Sequence, residues 1–142
     1  ELDNGFRKRV CLRDLIIMKL LFYHGIQVSE LLQIQISDYD SKRRILLISR
    51  KHREREKIAL FSEILCEQID TWLREHDYFE HNNEYCDYMF LSKMGKPLSM
   101  KMIINIFNKY RIMAGIEKEA TPKDLKNSIE RYAKELMMEL QR

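Results

Sequence analysis

Apolar residues recur at a helical spacing between Val10 and His24, where Leu12, Leu15, Ile16, Leu20 and Phe22 carry the pattern. Gly25 follows as a natural stop, because glycine tolerates the left-handed backbone that ends many helices. A second, short helix is predicted over about Val28–Ile34, with Ser29 and Glu30 in its first turn. The period then changes. Arg44-Ile45-Leu46-Leu47-Ile48-Ser49 is a short apolar run rich in β-branched residues, and Lys57-Ile58-Ala59-Leu60 is a second. The highly charged stretch Arg50–Glu56 lies between them, so the pair reads as a β-hairpin with a long basic tip.

Helical signals return after the hairpin. Ser62 is a predicted N-cap, and Ile64, Leu65, Ile69, Trp72 and Leu73 mark one face of the helix behind it. Asp77–Asp87 is polar, acidic and aromatic, as expected of a surface loop. Tyr88–Ser92 reads as a short extended segment and Met94-Gly95-Lys96-Pro97 as a turn. Ser99 is predicted to cap a helix reaching about Ala114, with Ile103, Ile106, Phe107, Tyr110 and Ile112 as its apolar surface and Gly115 as its end. Thr121-Pro122-Lys123-Asp124 is another start signal: a threonine cap, proline at the first helical position and an acid where a capping box needs one. Leu125, Ile129, Tyr132, Leu136 and Leu140 continue that helix. No internal repeat is visible. The expected fold class is α+β, mostly helical, with a small antiparallel sheet near the N-terminal third.

Composition narrows the class. A chain of 142 residues fits one domain with a sizeable core. No apolar run approaches the roughly 18 residues of a membrane span. The longest candidate, Leu15–Tyr23, is interrupted by Lys19, and the polar, basic first residues resemble no signal peptide. Cys11, Cys66 and Cys86 are odd in number and widely spaced, which argues against a disulfide framework or a zinc site. They read as reduced thiols in or near the core of an intracellular protein. The four histidines show no metal spacing. No metal, cofactor, small-molecule substrate or membrane partner is expected. The net charge is only +3, so distribution matters more than the total. Positive charge gathers at Arg7-Lys8-Arg9, at Lys42-Arg43-Arg44 and over Arg50–Lys57. Acid gathers over Glu75–Asp87.

The stretch Gly25-Ile26-Gln27-Val28-Ser29-Glu30-Leu31 resembles the arginine box of the tyrosine recombinases, which that family writes G-x-R-x-S-E-L. Glycine, serine, glutamate and leucine fall in place, and the arginine position is Gln27. The order of elements is also similar to the catalytic domain of that family, from about Arg13 to Leu140. The resemblance implies DNA strand exchange without a metal, in which a tyrosine attacks a DNA phosphodiester. Two arginines and a histidine or lysine would stabilise the charge on the phosphate, a task suited to bidentate guanidinium. A hairpin lysine would protonate the departing 5′-oxygen.

Carried over residue by residue, the resemblance implies the following. Gln27 supplies no charge at the first arginine position. Lys51, in Arg50-Lys51-His52-Arg53, stands at the hairpin lysine and is the candidate general acid; the alternative is a solvated basic tip. Thr121–Asn127 matches the frame of the second box, H-x-L-R-H. Lys123 replaces its histidine, Lys126 its arginine and Asn127 its closing histidine. Lys123 and Lys126 share a helix face in a first turn that favours anions, or are simply solvated. Only sixteen residues follow Lys126, so the nucleophilic tyrosine is not expected within residues 1–142, and neither is the N-terminal DNA-clamping domain; the protein is either longer than these residues or naturally shortened. Tyr132 is too close to the box and reads as core. The chain, which starts at Glu1, is thus expected to be part of an integrase-type catalytic domain.

The expected partner is double-stranded DNA, contacted through Arg50, Lys51, His52, Arg53, Arg55, Lys123 and Lys126. Site-specific recombination or integration is the expected process, with little or no strand transfer by this chain and a cytoplasmic, nucleoid-associated location. The alternatives are a non-catalytic DNA-binding regulator and a protein-interaction module derived from a recombinase. Self-association on DNA would belong to either.

Overall fold

A computed structural model of the chain describes residues 4–50, 54–60, 62–75, 87–113, 115 and 131. Its central element is helix α1, Asn4–Tyr23. The helix starts ahead of the predicted Val10, because extension through Arg7-Lys8-Arg9 costs little once the apolar part has formed. Every residue from Val10 to Leu20 is buried, so α1 is enclosed all round rather than along one stripe.

Three charged side chains are enclosed with it, and each is hydrogen-bonded, as burial of charge requires. Asp14 accepts from Arg13 Nη2 at 2.8 Å, from the Tyr110 hydroxyl at 2.8 Å and from Lys109 Nζ at 3.0 Å. Arg13 Nη1 also donates to the Leu91 carbonyl at 3.1 Å. Lys19 Nζ donates to Gln68 Oε1 at 2.9 Å. Burial, reinforced by the Asp14 charge, pushes the Tyr110 phenol far up, so it keeps the proton it donates.

Gly25 ends α1 with φ +62, as predicted. Helix α2 runs only over Val28–Leu31. It stops short of the predicted Ile34 because Gln33 and Ile34 bond back to Glu30 and Leu31 in tight turns at 3.1 and 3.2 Å. A 3-10 turn, Ile36–Asp38, and a two-residue strand, β1 (Tyr39–Asp40), follow. Neither is foreseen from the sequence. Strands β2 (Ile45–Ile48) and β3 (Glu56–Ala59) form the expected hairpin, with Ile48 opposite Glu56 and Ile45 opposite Ala59. The sheet order is β1-β2-β3, all antiparallel. Leu46 and Ile48 turn inward and are fully buried.

Helix α3, Glu63–Arg74, begins at the predicted cap: Ser62 Oγ accepts from the Leu65 amide at 3.1 Å. It packs along α1 through Leu65, Cys66, Ile69 and Trp72, whereas Ile64, expected on that face, is exposed. Trp72 Nε1 donates to the Met89 carbonyl at 2.7 Å and so ties α3 to the segment before the last described helix. Leu91 bridges to Pro97 around a turn in which Gly95 takes φ +76. Helix α4, Met100–Met113, is capped by Ser99 and buries Ile103, Ile106 and Tyr110. Phe107 meets Phe22 of α1 with ring centroids 5.6 Å apart, while Ile112 is exposed rather than packed.

Cys11 and Cys66 are buried free thiols, and burial raises the pKa of both. Among the described residues no helix is long and apolar enough to cross a membrane. Most of the acidic loop from Asp77, Cys86, the helix predicted from Thr121 and Tyr132 lie outside the described residues.

Candidate nucleic-acid interface

The box around Gln27 is built by α2 and by the last residues of α1 that lead to it. Gln27 is the N-cap of α2, with extended backbone and an exposed side chain, and its carbonyl accepts from Leu31 at 2.9 Å. Glu30, at the third helical position, turns back and accepts from the Gln27 amide through Oε1 at 2.8 Å. This is one half of a capping box: the acid satisfies an amide that the helix itself leaves unbonded. Glu30, which the sequence places in the first turn, thereby buttresses the start of α2. His24, half-buried beside the box, has its pKa lowered by burial, so its imidazole is neutral at pH 7.

Glu30 has a second partner. Its Oε2 lies 3.6 Å from Nε of Arg50, the residue just before the hairpin tip. The same Nε is 2.9 Å from Glu56 Oε2 at the start of β3. One guanidinium therefore faces two carboxylates, and this corner contributes no surplus positive charge from the described residues.

The arrangement is repeated a turn later. Asp38, third in the 3-10 turn, accepts from the Gln35 amide through Oδ2 at 2.9 Å. Its Oδ1 pairs with the guanidinium of Arg55, the arginine on the returning arm of the hairpin. Glu30 and Asp38 are both nearly fully buried, with 8% and 9% exposure. Asp38 and Glu56 are absent from the sequence-based site. A signal for Asp38 was present: an acid three residues after Gln35, the spacing of Glu30 after Gln27.

The structure thus brings Gln27, Arg50 and Arg55 into one region, linked through Glu30 and Asp38. Lys51, His52, Arg53, Lys123 and Lys126, along with Asn127, lie outside the described residues. Elsewhere on the sheet, Asp40 Oδ1 accepts from the amides of Lys42 and Arg43, both at 3.1 Å, and so shapes the second basic cluster into a tight turn. Arg44 closes that turn in the left-handed region with φ 56 and pairs with Glu63 at 3.2 Å.

Comparison with known proteins decides the ancestry. Residues 4–135 match the phage integrase family. The chain belongs to that family. A tyrosine recombinase of Agathobacter rectalis is 30% identical over 119 residues, which are 84% of this chain and 38% of that protein. The tyrosine recombinase XerD of Staphylococcus haemolyticus is 28% identical over 126 residues, 89% of this chain and 40% of that one. The chain therefore spans about two fifths of the length of these relatives.

Solved structures agree on the fold. The XerA recombinase superposes with a TM-score of 0.64 at 22% identity, covering 91% of this chain and 49% of XerA. The XerH site-specific recombinase, bound to its difH substrate in a pre-cleavage complex, superposes with a TM-score of 0.60 at 17% identity, covering 100% and 44%. The α+β, mostly helical domain with its small sheet is the fold of tyrosine recombinases, as the order of motifs suggested.

Proposed function

We propose that this chain is a DNA-binding part of an integrase-type catalytic domain, acting in site-specific recombination or integration, with little or no strand-transferase activity of its own. The observation that carries the reading is Gln27. It heads α2 on a scaffold whose glycine stop and Glu30 buttress are intact, yet it brings an uncharged amide to the arginine position. Loss of such a clamp costs about 3 kcal/mol or more of transition-state stabilisation, on the scale of one oxyanion donor. Arg50 does not restore the charge, because Glu30 and Glu56 already engage it.

By family position, Lys51 is the proposed general acid, and Lys123 and Lys126 the proposed phosphate contacts. Lysine keeps the charge but not the two-pronged geometry. Double-stranded DNA is the proposed partner, met by the hairpin residues Lys51, His52 and Arg53 and by the two later lysines, with Arg50 and Arg55, also expected there from the sequence, engaged instead by acids. The XerH complex supports this, since that relative is seen on a DNA substrate. The proposed location is the cytoplasm. Self-association on DNA is proposed as well, favoured by the exposed apolar side chains of Met100, Ile104 and Ile112 on α4. The same side chains would serve the second reading, a non-catalytic regulator or interaction module.

Two assays test the reading together. Titration of a labelled duplex should show binding that weakens steeply with salt, as phosphate contacts require. A nicked suicide substrate should yield no covalent protein–DNA adduct. An adduct would overturn the loss of activity, and no binding even at low salt would overturn DNA as partner.

A further inference from the structure

Each arm of the hairpin carries an arginine that faces a buried acid, and the repetition points to a purpose. Arg50, before residues 51–53, lies between Glu30 at 3.6 Å and Glu56 at 2.9 Å; Arg55, after them, is paired with Asp38. Each acid sits third in its own helical turn and spends its other oxygen on that turn's first amide, at 2.8 Å for Gln27 and 2.9 Å for Gln35. Each carboxylate is therefore fixed before it meets an arginine, and side-chain freedom lost in forming the pair is small. Neither acid faces solvent, with exposures of 8% and 9%.

We propose that Glu30 and Asp38 are positioning residues: they form a double carboxylate clasp that fixes both shoulders of the basic hairpin against the starts of α2 and the 3-10 turn. The proposal rests on the reading of the chain as a DNA binder. Its content is geometric. Tying Arg50 to the carboxylate that caps Gln27 fixes the end of the outgoing arm relative to the arginine-box position. A hairpin whose shoulders are pinned meets DNA with its ordering cost already met, which strengthens binding without any new contact.

The charge sign gives a decisive test. Glu30→Gln and Asp38→Asn each remove a negative charge close to the basic hairpin while keeping an acceptor for the cap amide. If these acids act only through their field, both variants bind an arbitrary labelled duplex more tightly, because repulsion of phosphate is relieved. If they position the hairpin, both bind more weakly despite the added positive charge. Roughly tenfold is expected for each, with a larger loss for the double variant. Glu67→Gln on α3, an exposed acid away from the hairpin, should leave affinity unchanged.

Hydrogen exchange of peptides spanning positions 49–57 provides the second readout, independent of DNA. It should accelerate in both variants while exchange in α3 stays as in the wild type. Tighter binding, or unchanged exchange, would overturn the clasp. Failure of the wild-type chain to bind DNA at low salt would instead sink the DNA reading and this role with it, while faster exchange in the variants would still report the anchoring.

Discussion

At the scale of single residues, the strongest statement concerns Asp14. It is fully buried and takes hydrogen bonds from Arg13, Tyr110 and Lys109. Removing one partner from such a network leaves another charge without compensation, which costs far more than the network adds in total. Asp14→Ala is expected to lower stability by about 3–5 kcal/mol. Tyr110→Phe removes the hydrogen bond to the charged Asp14 and a contact to the Cys11 thiol, and should cost about 1.5–3 kcal/mol. The exposed pair of Arg43 and Asp40, 3.9 Å apart, is the contrast, and Arg43→Ala should change stability by less than about 1 kcal/mol. Urea midpoints of the three variants check the order. An Arg43 effect equal to that of Asp14 would mean that burial is not what sets the cost.

At the scale of elements, local chemistry was readable and two-residue structure was not. Ser62 and Ser99 announce their helices because a cap is an interaction within four residues, and their hydroxyls accept from the Leu65 and Met102 amides. Tyr39–Asp40 is a strand only because Leu46 and Ile45 lie opposite it; two residues carry no alternation to recognise. Gly25 lies between these cases. Its φ of +62 was implied by its place after α1, and no atom lies within 4 Å of where a Cβ would be. Gly25→Ala therefore meets backbone strain alone, and a thermal melt should show a loss of about 1–2 kcal/mol. Gly25→Asn should lose less, because asparagine tolerates that backbone. Equal losses for alanine and asparagine would point to a steric cause instead.

At the scale of the whole molecule, Trp72 is the natural reporter. It is the single tryptophan of the chain, fully buried, with its indole N–H held by the Met89 carbonyl. Its emission should be blue-shifted in the native protein. It should move to the solvent value in one step with the loss of helical circular dichroism, as a single cooperative unit requires. Two separated transitions would show that α3 and the segment at Met89 come apart independently. The fold was legible at this scale because the order of motifs survives even where their key residues have changed. The candidate interface was legible only as charge. Arg50 and Arg55 announce a basic tip, but nothing in their neighbourhood of sequence says that Glu30 and Asp38 will hold them. Those partners, 20 and 17 positions away, are set by how α2 and the 3-10 turn approach the sheet.

The Asp14 network also bears on how the protein is made. Arg13, its sequence neighbour, accompanies Asp14 out of the ribosome, but Leu91, Lys109 and Tyr110 follow 77, 95 and 96 positions later. Until α4 has been synthesised, Asp14 would be buried with Arg13 as its partner but without Lys109 and Tyr110. The hydrogen bonding that burial of Asp14 calls for is thus complete only once the chain reaches α4.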